Sequence, residues 1–178
     1  MLRFPFDEKK ALEAVVLVAK AWPGITPFYA AKIFFLADKN HLSRYGRPVV
    51  GDRYIAMQNG PVPSVIYDWF KGNLDLMEDP AAISDAVEFN HNRRPPTATA
   101  KRAADLSYFS PSDVAALEQA VAFCRGKDFG YLSSVTHRDP SWQAANLNCE
   151  MDPLLMIEGD QRESLVLVAE EFAQYGVA

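Results

Sequence analysis

The stretch PFYAAKIFFLADKNHLSRYG, Pro27 to Gly46, limits what this chain can fold into more than any other. Its first three turns carry apolar side chains on almost every face, and Lys32 and Lys39, seven residues apart, mark the one stripe that reads as wet. A surface helix shows one apolar stripe, whereas a helix apolar nearly all round is enclosed by other elements. The rest of the chain is therefore expected to wrap around this segment. Its ends are written locally. Thr26-Pro27 offers an N-cap followed by proline at the first helical position, and Gly46 is a natural C-terminal stop. Charge interrupts the run between Lys32 and Asp38, and nothing in the chain approaches the roughly 20 apolar residues of a membrane span.

The flanking sequence supplies the wrapping. Asp7 starts a helix whose Leu12, Val15, Val16 and Ala19 fall at helical spacing, and Pro23-Gly24 ends it. After the central helix, 49–58 reads as a short strand, Asn59-Gly60-Pro61 as a turn, and Pro63-Ser64 as the start of a third helix ended by Gly72. Residues 73–85 read as loop with one helical turn. Residues 85–105 suggest two extended segments about a turn at 90–94, with Pro95 and Pro96 fitting only a sheet edge. These segments and the 52–58 strand are expected to share one small sheet. Ser110-Pro111-x-Asp113 opens a helix running to Gly126. Residues 128–145 read as two short helical pieces divided near His137–Pro140, and 147–159 as a loop with a buried apolar run. A last amphipathic helix is capped by Asp160 and stopped by Gly176. The expected fold is mainly α (α+β): a single domain over 1–178, a compact bundle of about five to seven helices around the central apolar helix, with a small antiparallel sheet or hairpin.

Composition adds little about partners. The chain has 178 residues, is 49% hydrophobic and 23% charged, and has a net charge of −5. The charge is uneven: residues 1–60 sum to +4 and residues 61–178 to −9. Such bipolarity steers charged partners without deciding the fold. Two cysteines, Cys124 and Cys149, lie outside any C-x-x-C motif and read as reduced thiols of a cytoplasmic protein. No apolar leader with a small-residue cleavage site is visible at the start.

Chemical motifs are sparse. Asp38-x-x-His41 places a carboxylate and an imidazole on one helical face, but a metal site needs three or four ligands, so neither metal nor cofactor is expected. No G-x-S-x-G elbow surrounds a serine, and Cys124 sits on an apolar helix. A hydrolase using His137 with Asp139 is one alternative, although His137 more simply braces a helix junction. No phosphate-binding glycine motif is present. Arg93, Arg94, Lys101 and Arg102 form a basic hairpin across 93–102. It offers a second alternative, a nucleic-acid-binding regulator, but the net acidity and the lack of interleaved aromatics argue against it.

One run is more specific. Phe35-Leu36-Ala37-Asp38, His41-Leu42, Tyr45-Gly46-Arg47-Pro48-Val49, Gly51-Asp52-Arg53-Tyr54 and Asn59-Gly60-Pro61-Val62-Pro63 follow one another in the order of a family pattern. His137, Trp142 and Ala145 match a second, shorter element of it. In these residues the chain resembles the SocA-like antitoxins of the Panacea-domain family, with Asn59 standing where an aromatic is as frequent. The resemblance implies a non-enzymatic antitoxin that binds a protein toxin encoded by an adjacent gene. Some relatives act as proteolytic adaptors that pass the toxin to a AAA+ protease of the ClpXP type. Stiff turns of glycine and proline preform a surface at low entropy cost. On or near that surface lie the candidate partner contacts Arg47, Asp52, Arg53, Tyr54, Asn59, Tyr67 and Trp69, with Arg93 and Arg94 on the basic hairpin. Tyr, Trp and Arg are the types enriched at interface hot spots, although Tyr54, Tyr67 and Trp69 read more readily as core, holding the strand onto the second and third helices.

Overall fold

The computed structural model describes residues 1–75 and 77–176. Eight α-helices and two small antiparallel sheets are found among them. Helix α1 (Glu8–Ala21) begins where expected, the Asp7 side chain accepting a hydrogen bond from the Lys10 amide. Leu12, Val15, Val16 and Ala19 are all buried. Helix α2 (Pro27–Tyr45) ends at Gly46 in the left-handed region, φ 67°. It is the central element. Ile33, Phe34 and Ala37 pack into a large cluster with α1 and α5 (Pro111–Cys124). Phe35 and Leu42 face a smaller cluster with α8 (Arg162–Tyr175) and the segment before it. Two cores on opposite sides explain a helix apolar nearly all round. Helix α5 carries the full capping box at Ser110 and Asp113.

The stripe expected to be wet is not. Lys32 is buried, with 1% of its surface exposed. Lys39 is mostly covered and bonded to Asp139 and Glu158. The neighbours that cover them come from sequence about thirty to a hundred and twenty residues away.

The single sheet is instead two. Strands β1 (Tyr54–Met57) and β2 (Gly60–Pro63) form one hairpin, and β3 (Val87–Asn90) and β4 (Thr97–Ala100) another. Residues 49–53 are not part of β1, and the expected turn at 59–61 is only partly a turn, because Gly60 and Pro61 already belong to β2. Pro61 and Pro63 are tolerated because they pair with Ala56 and Tyr54. Those two residues direct their backbone groups to the opposite edge: the Ala56 amide donates to Cys149, and Ala56 and Tyr54 accept from Asn148 and Met151. A proline costs a ladder bond only where its missing N–H would face the partner strand.

Helix α3 (Ser64–Lys71) follows β2 directly. The short α4 (Pro80–Ala86), capped by Asp79, occupies part of the expected loop. Helices α6 (Phe129–His137) and α7 (Pro140–Ala144) are the two expected pieces. Helix α8 starts after Gln161 with no side-chain cap, so Asp160 does not cap it. Cys124 is buried, Cys149 is exposed, and both are free. No helix among the described residues is long and apolar enough to cross a membrane.

Candidate functional site

The segment after α2 is held by buried polar groups. Asp38, on α2, accepts hydrogen bonds from the Val49 amide at 2.8 Å, the Val50 amide at 3.1 Å and the Tyr54 hydroxyl at 2.9 Å. Burial pushes its carboxyl up to about 6, and these donors oppose the rise. Asp52 forms a second latch. Helix α3 has Pro63 at its N-cap, which offers no side-chain acceptor. Its first amides would be orphaned. Asp52 supplies the missing cap from outside the helix, accepting from Val65 at 2.9 Å and Ile66 at 2.9 Å. A carboxylate at a helix N-terminus also meets the positive end of the dipole. Burial still raises its carboxyl to about 6.

Lys32 is the third latch, donating from Nζ to the Pro61 carbonyl at 3.1 Å beneath the ring of Phe28, 5.1 Å away. Burial lowers its ammonium to about 7. The backbone passes so close that a Cβ on Gly60, φ +102°, would meet Thr136 Oγ1 at 2.5 Å and Lys32 Nζ at 2.6 Å. Helices α6 and α7 close the outer side: Ser133 Oγ donates to the Asn59 carbonyl at 3.4 Å and Trp142 Nε1 to the Met57 carbonyl at 3.2 Å.

These contacts sort the candidate residues. Asp52, Tyr54 and Trp69 are buried, at 7%, 5% and 1% exposure, so they hold the surface from beneath and present almost none of it. Arg47 is half-buried and bonded to Asp113 Oδ1 at 2.9 Å and Ser110 Oγ at 3.1 Å, which makes it a strut between α2 and α5. Arg53 and Asn59 are exposed, with Glu150 4.0 Å from Arg53. The basic hairpin loses half its cations to the fold, since Arg102 pairs with Glu13 at 2.5 Å and Lys101 donates to the Ser84 carbonyl. Arg93 and Arg94 stay exposed.

Tyr67 and Arg94 are brought together. They line one groove of about 490 Å³ with Phe28, Lys71, His91 and Pro95. Sequence reading missed Phe28, Lys71 and His91 here, because the start of α2, the end of α3 and the β3–β4 turn meet only in the folded chain. Arg47 and Arg53 lie outside this groove.

The two residues of the catalytic alternative, His137 and Asp139, have separate partners. His137 stacks on Trp142, centroids 4.0 Å apart at 17°, and its Nε2 is buried with no hydrogen-bond partner. Burial and the nearby Lys32 charge hold its pKa below the usual histidine value. Asp139 is turned elsewhere, accepting from the Ser141 amide and hydroxyl while capping α7, and pairing with Lys39 at 2.5 Å. His41 is likewise bonded within the fold, to the Arg47 carbonyl at 2.8 Å and Ser112 Oγ at 3.1 Å. No group of three or more His, Cys, Asp or Glu among the described residues is disposed to hold a metal ion.

The geometry defines a small, mainly α domain whose buried polar groups brace the irregular, largely buried segment between α2 and α3, with Arg53 and Asn59 exposed on it. Residues 31–143 match the family described as antitoxin SocA-like, Panacea domain, and the chain belongs to that family. Searches of curated proteins and of solved structures find no significant match.

Proposed function

We propose that this protein is a cytoplasmic antitoxin that neutralises a protein toxin, the product of an adjacent gene, by binding it directly. The observation that carries this reading is family membership across residues 31–143. The latches at Asp38, Asp52 and Lys32 support it physically, because they hold the motif segment in one conformation in the free protein, and a scaffold already ordered before binding loses little entropy on contact. The partners of His137 and Asp139, Trp142 for the one and Ser141 for the other, favour a structural role for both over a hydrolase pair. The toxin is either masked in a stable complex or delivered to a AAA+ protease of the ClpXP type.

Co-expression tests the reading. The adjacent open reading frame is induced with and without this protein, growth is followed, and a tag on this chain is used for purification. Rescue with a stoichiometric complex means masking. Rescue with loss of the neighbour, reversed in a protease-deficient host, means delivery for degradation. A neighbour that is harmless and does not co-purify removes the antitoxin reading.

A further inference from the structure

We propose that the toxin docks on the aromatic and cationic face centred on Phe28, and that its docking segment is acidic with apolar side chains among the carboxylates. This rests on the antitoxin reading and assigns it a surface.

The first observation is a run of touching aromatic rings from two distant parts of the chain. Phe28, at the start of α2, packs against Phe129, at the start of α6, in a tilted pair with centroids 4.3 Å apart at 30°. It also meets Tyr29 edge-on at 5.3 Å, and Tyr29 meets Trp22 at 4.9 Å. Phe129 and Tyr131 are 49% and 45% exposed. An exposed ring packed on a half-buried ring from a distant element, with a second exposed aromatic two residues on, marks an interaction surface more than scattered exposed residues do.

The second observation is charge. Lys71, Arg93 and Arg94 are exposed at or beside the groove, and none enters an ion pair among the described residues. Lys127 lies over the Tyr131 ring at 5.2 Å. The nearest acid on α6, Asp128, uses its carboxylate to cap the Tyr131 amide. A positive face on a chain of net charge −5 is a local feature that complements an acidic partner and raises the rate of encounter with it.

The third is rigidity. His91 bonds through Nε2 to the Phe70 carbonyl at 3.1 Å, fastening the hairpin turn to α3, and the Tyr29 hydroxyl donates to the Lys127 carbonyl at 3.1 Å, fastening α2 to the start of α6. The face is preformed, and binding orders few groups.

Ring geometry favours a protein over a nucleic acid. Base stacking needs an open ring face. Here each ring already has one face occupied: Phe28 and Phe129 lie against each other, Lys127 lies over Tyr131, and Lys71 lies over Tyr67 at 4.3 Å, which leaves none of these rings free to stack bases on both faces.

The test uses the full chain and the purified product of the adjacent reading frame as probe. The variants are Lys71→Glu with Arg94→Glu, Phe129→Asp alone, and Leu167→Asp, at an exposed position of α8, as a control. Thermal midpoints confirm that each is folded. The double reversal is expected to raise Kd at least about a hundredfold and Phe129→Asp about tenfold, with the control within about twofold of wild type. Wild-type Kd is expected to rise steeply with salt. If wild type rescues growth and the folded face variants bind and rescue equally well, this face is not the interface and the antitoxin reading stands. Salt-insensitive binding overturns the acidic segment. Failure of wild type to bind or rescue removes both readings. Retention of an oligouridylate at low salt, abolished by the double reversal, overturns the protein occupant in favour of RNA.

Discussion

Lys32 donates from Nζ to the carbonyl of Pro61 at 3.1 Å, and no carboxylate pairs with its ammonium among the described residues. A buried cation with one carbonyl and one ring face for company is a costly way to tie a hairpin to a helix. The tie is also pH-dependent.

Burial lowers Lys32 from 10.5 to about 7. Its folded pKa is below its unfolded one, so the stability linked to it is complete above about pH 10.5 and is lost as pH falls through about 7. Lys32→Met removes this linkage. The stability of wild type relative to Lys32→Met is therefore expected to rise between pH 7 and pH 9 by on the order of 1–2 kcal/mol. Urea titrations at both pH values check this, and a constant difference sinks it.

Asp38 gathers three donors in the interior. Asp38→Ala leaves two amides and a hydroxyl without their acceptor and is expected to cost about 3 kcal/mol, whereas Tyr54→Phe loses one bond and costs about 1–2 kcal/mol. Chemical denaturation of both variants measures the order. Equal losses would mean that Asp38 does not organise the 49–54 segment.

Arg47 and Arg53 are close in sequence and unlike in role. Arg47→Glu sets a second carboxylate against buried Asp113 and is expected to lower stability by about 2–4 kcal/mol. Arg53→Glu, at a side chain 46% exposed, is expected to shift it by less than about 0.5 kcal/mol. Thermal melts separate the two; a stable Arg47→Glu would show that the Asp113 network is dispensable.

His137 braces Trp142 and enters no ion pair among the described residues. His137→Ala is expected to cost about 1 kcal/mol of stability through lost stacking and to leave toxin neutralisation at the wild-type level. Growth rescue alongside a melt decides this. Loss of rescue in a variant with a near-wild-type melt would reopen catalysis.

Elements with local signals were legible before folding. Asp7, Ser110-Pro111-x-Asp113, Gly46 and Gly72 sit where caps and stops belong, and each marks a real boundary. The 60–63 strand was hidden because two prolines read as turn. They fit only because their strand partners bond the 148–151 segment instead. The site was less legible still. Tyr67 and Arg94 were visible as types suited to contact, but their meeting in one groove with Phe28 and Lys71 depends on how three elements pack. Asp52 looked like a surface residue and is a cap for α3.

By itself, the sequence determined that a helix apolar nearly all round would be enclosed, where most helices begin and end, and which family the chain belongs to, because periodicity, caps and ordered motifs act over a few residues. Tertiary structure alone decided that Lys32 is buried, that the motif carboxylates brace the backbone, and that Phe28, Tyr67, Lys71 and Arg94 line one groove. Those outcomes depend on which distant segment covers each side chain, and a short stretch of sequence carries no record of its future neighbours.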